Sequence, residues 1–141
     1  PQEEEYQKYI KDHGGQTNAF TANHITSYMF SIDNPALPEA LDRFSDFFKE
    51  PFFNPSGVSR ELQAIDQEYA KNVENDDLRE LYVNKSLTKA DHPYHRFNMG
   101  NSSTLKAVSR NSLKEWYEAH YSSNLMRLMV ISNLPLEKLQ E

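Results

Sequence analysis

The chain has 141 residues, 38% hydrophobic and 26% charged, long enough for one globular domain with a core and too short for two comfortable ones. Its formal net charge is −6, and its Lys and Arg are scattered without a basic run, which argues against the positive face that nucleic acid requires. No stretch approaches the ~20 apolar residues of a membrane span, and Pro1-Gln2-Glu3-Glu4-Glu5 lacks the positive start and apolar stretch of a secretory signal, so the chain reads as soluble. With no cysteine, disulfides and thiolate chemistry are excluded, while both a periplasmic and a cytoplasmic setting remain open.

Residues 3–13 carry Tyr6, Tyr9 and Ile10 at helical spacing and stop at Gly14-Gly15, where glycine accepts the left-handed turn that ends helices. The start at Pro1 reads as cut, since no core precedes it. Residues 18–22 and 26–32 are rich in β-branched and aromatic residues, and Tyr28, Phe30 and Ile32 alternate with Ser27, Met29 and Ser31. A β-hairpin turning near Asn23-His24-Ile25 is predicted. A helix over 38–48 follows, with Leu41, Phe44, Phe47 and Phe48 on one stripe and Pro51 beyond its end. Residues 56–75 predict a long third helix whose stripe is Val58, Leu62, Ile65, Tyr69 and Val73, with Glu61, Glu68 and Asn72 along its border. A shorter helix is predicted over 77–87, and the turn-rich stretch from His92 to Asn101 reads as an ordered loop. Residues 112–121 predict a helix, 126–131 a short apolar strand, and Leu134-Pro135-Leu136 the start of one more helix. Helices with one hairpin give an α+β class with no internal repeat.

The third helix holds the most chemistry. Seven helical steps return to within about 20° of the start, so Glu61 and Glu68 point the same way, about 10 Å apart along the axis. That is too far to share one ion, whose oxygen ligands sit about 2 Å away, so at most one would ligate a metal and the other would support it. Carboxylates on a surface helix are commonplace, and spacing alone leaves solvated side chains as the simpler reading. The histidines read as structural: His13 at a helix end, His24 in a turn, His120 among aromatic neighbours, and His92 and His95 on either side of a proline turn. No His-Glu-x-x-His, His-x-x-Glu-His, Gly-rich phosphate loop or Gly-x-Ser-x-Gly elbow occurs, so no complete catalytic unit is present. The strand at Asn18-Ala19-Phe20-Thr21 has small and polar residues and could leave an edge open to an extended peptide, although by itself it is only a strand.

Taken in order, Gly14-Gly15-Gln16-Thr17-Asn18-Ala19-Phe20-Thr21, Ala40-Leu41-Asp42-Arg43-Phe44, the run from Arg60-Glu61 through Ile65-Asp66, Glu68 and Lys71-Asn72, His92-Pro93, and Tyr121-Ser122-Ser123-Asn124-Leu125-Met126 resemble the pitrilysin and insulin-degrading zinc metalloendopeptidases. The blocks span nearly the whole chain in that family's order, and Leu134-Pro135-Leu136 looks nearer the bacterial pitrilysin branch.

The resemblance implies a part of the family's N-terminal catalytic domain, an α+β metallohydrolase-like domain with an antiparallel sheet packed by helices on one face. It implies a Zn2+ cofactor, with Glu68 as the third metal ligand and Glu61 as the supporting acid on the same helix. Asn18, Ala19 and Phe20 match the edge strand that pairs with the substrate backbone. The family's inverted motif, His-x-x-Glu-His, which carries the other two ligands and the general base, would lie just upstream of Pro1. These residues are therefore expected to be a single partial domain of a longer protease, lacking that motif and truncated at the C-terminus. No catalytic residue is expected within them, and they are expected to be inactive alone. The implied partners are peptide substrates and the remaining domains of the same chain, and the compartment would be periplasmic or cytoplasmic. The alternative is a non-catalytic, family-like subunit that holds extended peptides without cutting them.

Overall fold

The computed structural model describes residues 4–140, which form two compact units. One is built from the chain up to Pro51 and from Tyr121 onward, the other from Phe52–His120.

The first unit begins with α1, Glu5–Asp12, which buries Tyr6 and Ile10 one helical turn apart. Its end is closed by Gly14 at φ 72 and by the Gly15 N–H, which donates to the Ile10 carbonyl at 2.9 Å. The chain then forms the hairpin of β1, Gln16–Thr21, and β2, Thr26–Ser31, paired antiparallel with Gln16 opposite Ser31 and Thr21 opposite Thr26. A 3-10 turn over Asn34–Ala36 leads into α2, Leu37–Lys49. Successive strand residues face opposite sides. Phe30 therefore turns toward the helices, edge-on to Tyr6 at 6.4 Å and to Phe44 at 5.1 Å between ring centres, while Phe20 and Met29 lie on the open face. Tyr6, Ile10 and Ala40 are the buried centre, ringed by Tyr9, Phe30, Ile32 and Phe44. Helices on one face of an antiparallel hairpin make this an α+β unit, as the sequence predicted.

Arg43 locks α1 to α2. Its guanidinium donates to Glu5 and Glu39, each at 2.7 Å, and lies 4.7 Å from the centre of the Tyr9 ring. Beyond Tyr121 come a 3-10 turn over Ser123–Leu125 and a closing helix at Leu136–Gln140. The predicted strand at 126–131 does not form. Met126 has extended backbone angles, but no ladder pairs with this stretch among the described residues, and Leu128, Met129 and Ile131 are exposed. An apolar run supplies β propensity, whereas a strand also requires a neighbour to accept and donate its backbone bonds.

The second unit is helical. Its longest helix, α3, spans Pro55–Asn72, capped by Asn54, whose side chain accepts the Ser56 N–H at 3.1 Å. It stops short of the predicted residue 75 because Asn75 is the cap of the next helix, α4, Asp76–Ser86, and accepts the Leu78 N–H. Tyr69 and Tyr82 flank the Phe97 ring at 5.6 and 5.1 Å. Buried Lys85 tethers the 92–98 loop: its amine donates to the Arg96 carbonyl at 3.2 Å and lies 4.6 Å from the Tyr94 ring centre. The short α5, Ser102–Leu105, opens with a reciprocal cap between Asn101 and Thr104. The following helix, α6, Arg110–His120, starts two residues earlier than predicted. Ser109 and Ser112 exchange hydrogen bonds of 2.8 and 3.1 Å around its first turn. The Arg110 side chain donates to the carbonyls of Phe52 and Phe53, holding the turn in which Phe53 sits at φ 44. Among the described residues no helix is long and apolar enough to cross a membrane.

Candidate functional site

Glu61 and Glu68 lie on α3 in the second unit, and both are exposed. The cause is local: no residue of α3 is buried, and Val58, Leu62, Ile65 and Tyr69 are only half-covered, so a carboxylate beside them meets water. Asn72 reaches back one turn, its amide donating to the Glu68 carbonyl at 2.9 Å. At about 100° per residue, Asp66 lies about 160° around the helix from Glu68, on the other margin of the stripe. There its carboxylate accepts the Ser102 N–H at 2.7 Å, and this bond holds its pKa below the usual aspartate value.

A carboxylate oxygen is a zinc-type ligand, so Glu68 suits the metal in kind. The donor set does not fit a complete site: among the described residues no three His, Cys, Asp or Glu come together. Four of the five histidine rings are engaged locally. His13 Nδ1 sits 2.8 Å from the Tyr9 carbonyl, His120 Nδ1 sits 2.7 Å from the Trp116 carbonyl, and His95 Nδ1 sits 3.1 Å from the Thr88 carbonyl. His92 Nδ1 accepts the Tyr94 N–H at 3.1 Å, capping its own turn.

Asn18, Ala19 and Phe20 belong to β1 in the first unit, and every residue of that strand is exposed. The hairpin closes through the Ala22 N–H, which donates to the Ile25 carbonyl at 2.8 Å. Antiparallel partners alternate between hydrogen-bonded and open pairs, so Phe20 with Ser27, Asn18 with Met29 and Gln16 with Ser31 are bonded pairs. Ala19 opposite Tyr28 is an open pair, and the N–H and C=O of Thr17, Ala19 and Thr21 point away from β2 along the outer edge. Among the described residues no strand pairs with that edge. The Ala19 N–H is covered by its neighbour: Asn18 Oδ1 accepts it at 2.9 Å.

Sequence reading missed two groups behind these residues. Tyr28 packs edge-on to Phe48, 5.3 Å between ring centres, and its hydroxyl hydrogen-bonds the hydroxyl of Tyr121. Partial burial, and then this bond, raise the Tyr121 pKa well above the usual tyrosine value. Asp66 and Ser102, 36 positions apart, are the other pair; the only local signal was the polar run Asn101-Ser102-Ser103-Thr104, which marks a helix start.

A family model described as Insulinase (Peptidase family M16) matches residues 1–100. Insulin-degrading enzyme-like 1, peroxisomal, of Arabidopsis thaliana is 43% identical over all of this chain and 15% of its own length. The insulin-degrading enzyme of Homo sapiens is 38% identical over 99% of this chain and 14% of its own. A crystal structure of pitrilysin superposes with a TM-score of 0.90 at 34% identity, covering 99% of this chain and 15% of that one. The chain thus spans about a seventh of the length of these relatives. These identities give no support to a particular closeness to the pitrilysin branch. The chain belongs to the insulinase family of peptidases, peptidase family M16.

Proposed function

We propose that this chain is part of the N-terminal catalytic domain of a zinc-dependent endopeptidase that degrades peptides, in which Glu68 is one metal ligand, Glu61 supports it, and the strand at Asn18, Ala19 and Phe20 pairs with the substrate backbone. The observation that carries the reading is the outer edge of β1, whose Ala19 N–H and C=O point outward to where an extended peptide would add a strand. Membership of a peptidase family and the exposed carboxylate of Glu68 support it.

The residues of this chain act by binding and orientation. Thr17, Ala19 and Thr21 offer alternate backbone groups to a peptide, which fixes its register in steps of two residues. Asn18 must release the Ala19 N–H before that position can pair. Glu68 contributes one carboxylate, and the other metal donors and the proton-transfer base belong to the rest of the protein. A zinc-bound water is the nucleophile that such a site supplies when loaded.

The test is made in the intact protein. Glu68→Gln is expected to lose bound zinc and peptide cleavage together; full zinc content in that variant refutes the ligand role. The non-catalytic alternative, a family-like subunit that only holds peptides, rests on the same strand edge. It requires that the coding sequence before Pro1 lack His-x-x-Glu-His, and finding the motif there removes it.

A further inference from the structure

The geometry points to Tyr28 and Tyr121 as positioning residues that hold the outer edge of β1 in its binding register, an inference that rests on the peptide-pairing reading of that strand. Ala19 is the centre of that edge, and like Thr17 and Thr21 it makes no ladder bond to β2. It stands opposite Tyr28 in an open pair, which contributes no backbone hydrogen bond of its own. The ladder bonds belong to its neighbours, Asn18 with Met29 and Phe20 with Ser27. In an open pair the two Cα atoms approach to about 4.5 Å and the side chains share one face, so Tyr28 is the cross-strand neighbour of Ala19.

The placement of the Tyr28 ring therefore sets the floor under Ala19. It is held by the edge-on Phe48 ring of α2 and by the hydroxyl of Tyr121. The Tyr121 ring also lies edge-on to Tyr28, with centres 6.4 Å apart. Tyr121 is the residue at which the chain re-enters the first unit, so its hydroxyl ties that return to the middle of β2. Thr17 anchors the other end of β1, its hydroxyl donating to the Met29 carbonyl at 3.2 Å. With Thr17 held at one end and the Tyr28 ring beneath the centre, the outward N–H and C=O of Ala19 are presented at a fixed height to an incoming strand.

Loss of the hydroxyl pair should be felt in peptide capture and not in bond cleavage. The experiment compares Tyr121→Phe, Tyr28→Phe, the double variant and Ala19→Pro in the intact protein, with a fluorogenic peptide and separate kcat and KM. A net hydrogen bond of ordinary strength converts to a change in KM of about 3- to 10-fold, with kcat held within about twofold. Because the tyrosines share a bond, the double variant is expected to lose less than the sum of the two single ones. Ala19→Pro removes an outward N–H without touching the ladder and is expected to raise KM too. If Ala19→Pro raises KM and Tyr121→Phe does not, the positioning role is overturned; additive losses in the double variant overturn it as well. If Ala19→Pro leaves KM unchanged, the peptide-pairing reading itself fails.

Discussion

The side chain of Asn18 covers the backbone amide that follows it: its Oδ1 accepts the Ala19 N–H at 2.9 Å on the unpaired edge of β1. An open strand edge invites other strands, and proteins commonly blunt such edges. The covering bond means that the amide proposed to pair with a peptide is not left bare. Asn18→Ala should speed hydrogen exchange at Ala19 by up to about tenfold, the effect of losing one exposed hydrogen bond. Asn18→Asp keeps an acceptor and should leave the rate near that of the parent. Equal exchange in the parent and in Asn18→Ala would show that the bond does not persist in solution.

The Asp66–Ser102 bond makes a different prediction. It joins the middle of α3 to the first turn of α5, beside Gly100, which sits at φ 85 and whose added Cβ would meet Leu105 at 2.9 Å. Asp66→Ala should lower the thermal midpoint of the second unit, whereas Asp66→Asn, which retains an acceptor for the Ser102 N–H, should recover most of the loss. Circular dichroism melts of the three proteins make the comparison. An Asp66→Asn melt as low as that of Asp66→Ala would mean that charge, and not the hydrogen bond, holds the contact.

Much of the fold was legible because its signals are local. Gly14-Gly15 and Pro51 punctuate helices by their own backbone constraints, and the alternation around Tyr28 and Phe30 marks a strand whatever it pairs with. The stretch at 126–131 was misread because a ladder depends on a second segment that the run itself does not encode. The candidate site divides in the same way. The shared face of Glu61 and Glu68 follows from helical arithmetic, but their exposure depends on how far α3 is covered by its neighbours. The Tyr28–Tyr121 bond spans 93 positions and the Asp66–Ser102 bond 36, separations at which spacing carries no signal. The roles of Glu68 and Asn18 were read from resemblance, since a single carboxylate or strand edge has no chemistry that spacing can identify.

Acid sensitivity of the first unit should have an identifiable part. The Arg43 guanidinium beside Glu39 lowers the glutamate pKa from its usual 4.5, chiefly through their hydrogen bonds. A carboxylate depressed in the folded state stabilises the fold fully above its unfolded pKa, and that contribution is lost as pH falls through the lower folded value. Below about pH 4.5 the urea midpoint of the parent should therefore fall more steeply than that of Glu39→Gln, which has no such group to protonate. Parallel curves for the two proteins would assign the acid slope to other carboxylates, such as Asp12 beside Lys8.

The junction of α1 with β1 should be the least forgiving point in the first unit, and two substitutions probe it from opposite directions. Ile10 is 1% exposed and sits under the turn, so Ile10→Ala leaves a cavity and should cost about 2–5 kcal/mol. Gly15 has the reverse problem: a Cβ there would lie 2.0 Å from the Ser31 carbonyl oxygen and 2.9 Å from Ile10 Cγ2. The oxygen belongs to the paired strand and cannot swing aside, so Gly15→Ala must push β2 away or shift α1, at about 1–3 kcal/mol by the usual scale of overpacking. Trimming the side chain beneath relieves only the softer of the two contacts. Ile10→Ala removes Cγ2, so the double variant Ile10→Ala with Gly15→Ala should stay less stable than Ile10→Ala alone in urea unfolding. Full recovery in that double variant would mean that the clash with Ile10, and not the close approach of Ser31, makes glycine necessary at the start of the strand.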